Sequence, residues 1–257
     1  MNGELHLLFR IAALGNGYLL DGYADSAADL DSDAQIRVRF TDGPDEFVWR
    51  EWLDKLKQTG CQRLMLVSGD SAMAWRTSGY AGGGPPAGIM AIGVPETALW
   101  TVRWKLTGQG TPRARWEVRC VRTPDSGGTD VLRRYVPMRT AAEELTGALR
   151  EASGLAEAIR LPFWSGNFFE PALAIAEGRA KLPKLAFDLP VAYSEEASRL
   201  LQAAYKAWVF GGMGSWIDDP PSAALEYGLG REYEACSARL YAALLQAGQA
   251  AVNSVVF

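Results

Sequence analysis

The chain has 257 residues, of which 48% are hydrophobic and 22% charged, with a formal net charge of −4. That length is enough to bury a substantial core, and the composition excludes global disorder of the low-hydrophobicity, high-charge kind. The acidic balance argues against a general nucleic-acid binder, which needs a positive footprint to displace counterions. A single histidine, His6, excludes any two-histidine metal site. The three cysteines, Cys61, Cys120 and Cys236, lie far apart with no CxxC, so neither a zinc ligand set nor a disulfide framework is expected. No cofactor is implied.

In chain order, the first half reads as strands. Leu5, Leu7, Phe9 and Ile11 alternate with other residues, and Ile36, Val38 and Phe40 alternate with Arg37 and Arg39 on the other face. Gly15-Asn16-Gly17 reads as a turn signal. Residues 46–58 are spaced as a helix ended by Gly60, and Leu64–Val67 is apolar throughout, as a central strand is. Trp100, Val102, Trp104 and Leu106 alternate with Thr101, Arg103 and Lys105. Trp116, Val118 and Cys120 alternate with Arg115, Glu117 and Arg119. Side chains of a strand alternate between faces, so each segment is expected to be half-buried. The turn signals at Gly108–Pro112 and Asp125–Gly128 join the later strands into a meander.

The second half reads as helices. Thr140 and Glu143 have the spacing of a capping box, Phe169–Lys181 is a second helical segment, and Ser194 caps a third with Glu195 and Glu196 in its first turn. Leu229, Tyr233, Cys236, Leu240, Leu244, Ala247 and Ala251 give the last helix. The expected fold is α+β: a mainly antiparallel sheet in residues 1–139, with one helix, and a helix-rich subdomain in residues 140–257 packed on it as one compact unit. The expected loops are Asp21–Asp33, Tyr80–Gly88 and Leu182–Pro190. No signal-peptide pattern opens the chain and no apolar run reaches membrane-spanning length, so a cytoplasmic protein without membrane attachment is expected. The composition is compatible with a homo-oligomer.

Catalytic motifs are missing from the string. There is no GxSxG, no SxxK, no P-loop and no GxGxxG. Two charged features stand out instead. Asp21, Asp25, Asp29, Asp31 and Asp33 form an acidic stretch that could meet a basic partner and steer its association. Residues 100–139 hold nine bases against three acids. There Arg103, Lys105, Arg115 and Arg119, with Arg133 or Arg134, form a basic strand face suited to nucleic acid or a phosphorylated ligand, or simply a solvated face paired with Glu117 and Asp130. Trp49 and Trp52 share a helix on which both are not expected to turn inward, so one of them is a candidate partner contact. Glu170, Asp188, Asp218 and Asp219 are the carboxylates available for acid–base work in a pocket between sheet and helices.

The most distinctive string is Ala207-Trp-Val-Phe-Gly-Gly-Met-Gly-Ser-Trp-Ile-Asp-Asp219. Gly211 or Gly212 can close a helix in the left-handed conformation, and Gly214 allows another tight turn. Trp216 can fold back, and Asp218 or Ser222 can cap the next helix, whose entry Pro220 and Pro221 set. With Tyr233–Tyr241 and the terminal Ala-Val-Asn253-Ser, this string resembles the immunity protein 52 family of bacterial polymorphic toxin systems over residues 194–254. Ile217 departs from the asparagine common in that family. The resemblance implies a cytoplasmic α+β protein, not an enzyme, that binds and neutralises a cognate toxin. That toxin would be a nuclease delivered by a type VI or contact-dependent route. On that reading Asp21, Asp25, Asp29, Asp31, Asp33, Trp49 and Trp52 are the expected partner contacts, and Gly211, Gly212, Gly214, Ser215, Trp216 and Asp218 build a helix corner.

Overall fold

The computed structural model describes residues 3–22, 30, 35–69, 74–79, 81–82, 84, 86–94, 98–111, 114–124, 135–182 and 189–256. The fold is α+β. Helix α1 (Gly3–Asp21) precedes strands β1 (Ile36–Asp42) and β2 (Asp45–Phe47), and α2 (Trp49–Gln58) leads into β3 (Arg63–Ser68). The short α3 (Ala74–Thr77) is followed by β4 (Ala87–Ile92), β5 (Ala98–Thr107) and β6 (Arg115–Pro124). The second half holds α4 (Met138–Ala158), α5 (Pro162–Trp164), a π-helical turn at Ser165–Phe169, α6 (Glu170–Ala176), α7 (Glu195–Lys206), α8 (Asp219–Glu226) and α9 (Gly230–Asn253).

The six strands form one sheet in the order β2-β1-β6-β5-β4-β3. Every neighbouring pair is antiparallel except β1 and β6, which run parallel. β3–β6 form an antiparallel meander, of which the expected turn at Gly108–Pro112 joins β5 to β6; β4 is not among the expected strands, and the turn expected at Asp125–Gly128 lies outside the described residues. β1 then joins β6 from a distance of about eighty residues, a pairing no local signal announces. One face of the sheet carries Leu64, Leu66, Ile89, Trp100, Val118, Cys120, Val38 and Phe40 into the main core, against α1 and α2. A smaller cluster of Met65, Val67 and Met90 lies on the opposite face, with Val256 against it.

Two expectations for the N-terminal half are corrected. The segment around Leu5–Ile11 is a helix, not a strand. Thirteen of the nineteen residues of α1 are buried, and a helix covered on nearly all sides loses the apolar stripe that marks helical period. Gly15-Asn16-Gly17 is no turn but the middle of that helix. A Cβ at Gly15 would come within 2.3 Å of the Leu64 side chain, so glycine lets α1 approach β3 closely.

Leu64–Val67 belongs to an edge strand, not a central one. Its apolar run is explained by burial on both faces and along the edge as well. Alternate residues of a strand turn their N–H and C=O to the same side. At Leu64 these groups meet Asn16 of α1: the amide oxygen accepts from Leu64 N (2.7 Å) and the amide nitrogen donates to Leu64 O (2.8 Å). At Leu66 they meet Asn253 of α9 in the same way, with both distances 2.8 Å. Two buried asparagines thus stand where a seventh strand would pair, and close an edge that would otherwise recruit another chain. Tyr193 completes the arrangement, accepting from Asn16 Nδ2 (3.2 Å) and donating to Val252 O (2.9 Å).

The helical half follows the sequence more closely. Ser194 caps α7, its hydroxyl accepting from Ala197 N at 3.1 Å. The capping box at Thr140 does not form, because α4 starts at Met138 with Pro137 before it. Gly154 leaves α4 unbroken. The segment expected over Phe169–Lys181 begins earlier, at Pro162, and passes through the π turn, where Ser153 donates to Glu170 Oε1 (2.7 Å) and shares a hydrogen bond with Ser165 (2.9 Å). Among the described residues, no helix is long and apolar enough to cross a membrane.

Candidate functional site: the arginine face of the sheet

Strand register assembles a charged surface from three distant segments. On β6, Arg119 lies opposite Arg39 of β1 on one side and Arg103 of β5 on the other. Three arginines therefore stand in one row across three adjacent strands. In the next row Glu117 lies between Arg37 and Lys105, and beyond it Arg115 is opposite Thr107. Strand alternation puts all these side chains on the face away from the main core. Arg37, Arg103, Lys105, Arg115 and Arg119 are exposed there.

The neutralisation of this face is uneven. Arg39 is only 19% exposed and has Glu46 at 4.0 Å, and it donates to Val38 O at 2.6 Å. Arg115 has Glu117 at 3.7 Å. Among the described residues no ion pair forms at Arg37, Arg103, Lys105 or Arg119. Like charges directly opposite one another on a sheet are destabilising. The Arg39–Arg119–Arg103 row is thus an arrangement that cross-strand pairing does not favour, relieved at the Arg39 end by Glu46.

The sequence-based candidates meet different fates. Arg103, Lys105, Arg115 and Arg119 do share a face. Arg37 and Arg39, which the sequence marks only as the polar side of their own strand, join it through the parallel β1–β6 pairing. Arg133, Arg134 and Asp130 lie outside the described residues. Of the acidic stretch, Asp21 is exposed at the end of α1, and Asp25, Asp29, Asp31 and Asp33 lie outside the described residues.

Trp49 and Trp52 are a correction: both are buried, at 3% and 0% exposure, so neither is presented to a partner. Residues three apart on a helix are neighbours on one face. Both rings accordingly pack on Phe40, with Trp52 stacked on it at 4.0 Å between centroids and edge-on to Trp100 at 5.3 Å.

The glycine-rich string builds a corner between α7 and α8. Gly211, Gly212 and Gly214 have φ of 81°, 118° and 70°, and a Cβ at Gly211 would meet Ser78 O at 2.9 Å. Trp216 is fully buried. Its backbone N–H donates to Val209 O (2.9 Å) and its indole N–H to Ser237 Oγ (2.8 Å), while Tyr233 donates to its carbonyl (2.8 Å). The ring lies against Trp164 and Phe169. Asp218 accepts from Ser215 N (2.7 Å) and so tightens the loop; its side chain does not cap α8. Met213, fully exposed, stands at the tip.

The carboxylates considered for catalysis are dispersed. Glu170 is held by Ser153, Asp218 by the glycine corner, and Asp188 lies outside the described residues. Neither Glu170, Asp218 nor Asp219 lines either of two clefts. One, of about 650 Å³, runs between β3 and α9 past Ser68, Trp75, Tyr241 and Gln249. The other, of about 290 Å³, lies at the sheet end of α2, between Trp52, Trp100, Lys55 and the Asp42–Arg122 pair (3.3 Å).

His6 shares a 2.7 Å hydrogen bond with the Tyr205 hydroxyl, whose pKa burial raises. Burial also pushes the Cys61 thiol up to about 11 and Cys236 up to about 12, and Cys120 higher still, the reverse of what a nucleophilic thiolate needs. No group of three or more histidines, cysteines or acids suited to a metal ion occurs among the described residues. Comparison of the chain with protein-family models, with curated proteins and with solved structures finds no match.

Proposed function

We propose that this chain is an immunity-type inhibitor, which protects the bacterium that makes it by binding a cognate toxin and covering the surface that toxin needs. The observation that carries this reading is the arginine face, a three-strand surface on which Arg37, Arg103, Lys105 and Arg119 are exposed with no ion pair among the described residues. A flat face of three strands suits a macromolecular partner better than a small molecule, which prefers concave sites. The string at Ala207–Asp219 and its resemblance to immunity protein 52 supply the biological setting, with a nuclease exported by a type VI or contact-dependent route as the toxin and the cytoplasm as the place of action. The glycine corner contributes architecture, since Trp216 ties the loop after α7 to α9 and to the α5–π-turn segment.

Co-expression with the product of the adjacent gene tests the proposal. The expected result is restored growth and a complex that co-purifies, with about 1,200–2,000 Å² of surface buried in total. An adjacent product that harms no cell, or that is lethal with or without this chain, would overturn it.

A further inference from the structure

We infer that the Arg39–Arg119–Arg103 row is a docking surface for a carboxylate-rich face of a protein partner, with Arg103 and Arg119 at its centre. The inference takes its setting from the occlusion reading above and its chemistry from the face itself.

Guanidinium forks pair with carboxylate or phosphate through two parallel N–H···O bonds, and Arg103 and Arg119 are exposed without an ion pair among the described residues. The spacing fits secondary structure in the partner. Neighbouring strands are about 4.8 Å apart, so the row spans roughly 10 Å. Acids on alternate residues of a strand, or three and four apart on a helix, recur every ~6–7 Å and can reach two of these arginines together.

Three features favour carboxylates of a protein over the phosphates of a nucleic acid. Among the described residues of these strands the face has no aromatic platform: Phe40, Trp100, Trp104 and Trp116 all point to the opposite side of the sheet, where the register places them with Val38 and Val118. Single-stranded nucleic acid is normally held by stacking on such rings. Glu117 also sits inside the second row, between Arg37 and Lys105, where it would repel a continuous phosphate backbone. A protein surface can place a lysine or a hydroxyl against it. The net charge of −4 adds a long-range repulsion that a polyanion as dense as DNA feels most strongly.

The test uses the full chain in four forms: the wild type, the double variant Arg103→Glu/Arg119→Glu, the conservative Arg103→Lys/Arg119→Lys, and the control reversal Lys181→Glu, which lies outside the sheet. Circular dichroism and thermal melting establish that each is folded. Fluorescence anisotropy follows three probes at two salt concentrations: a labelled peptide of alternating glutamate and threonine, labelled oligothymidylate of equal length, and duplex DNA.

The expected result is salt-sensitive binding of the peptide by the wild type. The glutamate variant should weaken it at least about tenfold, the lysine variant should bind at an intermediate level, and Lys181→Glu should be unchanged. Binding of either nucleic acid through the same arginines in preference to the peptide would overturn the inference. So would peptide binding that ignores the double reversal.

In the growth assay, rescue lost in Arg103→Glu/Arg119→Glu and kept in Lys181→Glu supports the docking surface. Rescue kept in both removes the arginine row while the immunity reading stands. A harmless adjacent product removes the immunity reading, and the peptide result then judges the face alone.

Discussion

The two faces of β1, β5 and β6 are made from the same strands and are opposite in construction. One face turns Phe40, Trp100, Val118 and Cys120 inward, where Phe40 and Trp100 close on Trp49 and Trp52 of α2. The other sets Arg39, Arg119 and Arg103 side by side, with Arg119 and Arg103 exposed to solvent and Arg39 largely covered beside Glu46. Burial of aromatic area is a dominant stabilising contribution to a core, and a row of like charges is a small destabilising one. The inward face therefore holds the fold together, and the outward face is free to be shaped by binding. A substitution on one face should move stability and leave docking alone; on the other the reverse should hold.

The largest effect is expected at the centre of the inward face. Trp52→Ala should cost about 3–5 kcal/mol, because the ring is fully buried between Phe40 and Trp100 and its removal leaves a cavity. Denaturant unfolding measures this, and a loss below about 1 kcal/mol would mean that the aromatic cluster does not anchor α2 to the sheet.

The β3 edge comes next. Asn16→Ala strands the N–H and C=O of Leu64 in a buried position and should cost about 2–3 kcal/mol. Asn253→Ala should cost a similar amount at Leu66. Hydrogen exchange should show these two amides losing protection first, and concentration-dependent self-association through the opened edge is expected to follow.

A smaller and gradual effect is expected at high pH. Burial raises the Cys61 thiol from 9.0 to about 11, and burial raises Tyr233 from 10.0 to about 12. The fold holds both groups protonated, so the stability they contribute is complete below about pH 9. It declines as pH rises toward the folded-state values, by roughly 1.4 kcal/mol per pH unit for each such group at most. Melting temperatures that stay level from pH 8 to about 11 would contradict this. At pH 8 the native thiols should react slowly with a thiol reagent and rapidly once the chain is unfolded.

The smallest effect on stability belongs to the outward face. Arg119→Gln should leave stability unchanged or raise it by about 0.2–1 kcal/mol, because it relieves the charges of Arg39 and Arg103 directly opposite. The same substitution should slow association with the partner. A marked destabilisation would show that the arginine row serves the fold after all, and would erase the contrast between the two faces.

Much of this architecture was legible where the signal is local. The α9 periodicity, the Ser194 cap, the left-handed glycines at Gly211 and Gly214 and the alternation of β5 and β6 each depend on a few neighbouring residues. Where the structure departs from the local pattern, the controlling contacts are distant. α1 carries an apparent strand alternation because a helix buried on nearly all sides shows little polar face to reveal its period, and Asn16 reads as part of a turn because its partners Leu64 and Tyr193 lie 48 and 177 residues away. Trp49 and Trp52 are the exception, since their i, i+3 spacing puts both on the buried face of α2.

By itself, the amino-acid string determined the α+β class, the division between a strand-rich first half and a helical second half, the glycine corner and the basic character of β5 and β6, since each follows from side-chain periodicity and backbone preference over short spans. The tertiary structure alone decided that β1 lies parallel beside β6, that two asparagines close the β3 edge and that three arginines meet in one row. Those outcomes depend on which distant segments pair and in what register, and that choice is made by burial of the whole core, not by any stretch of chain alone.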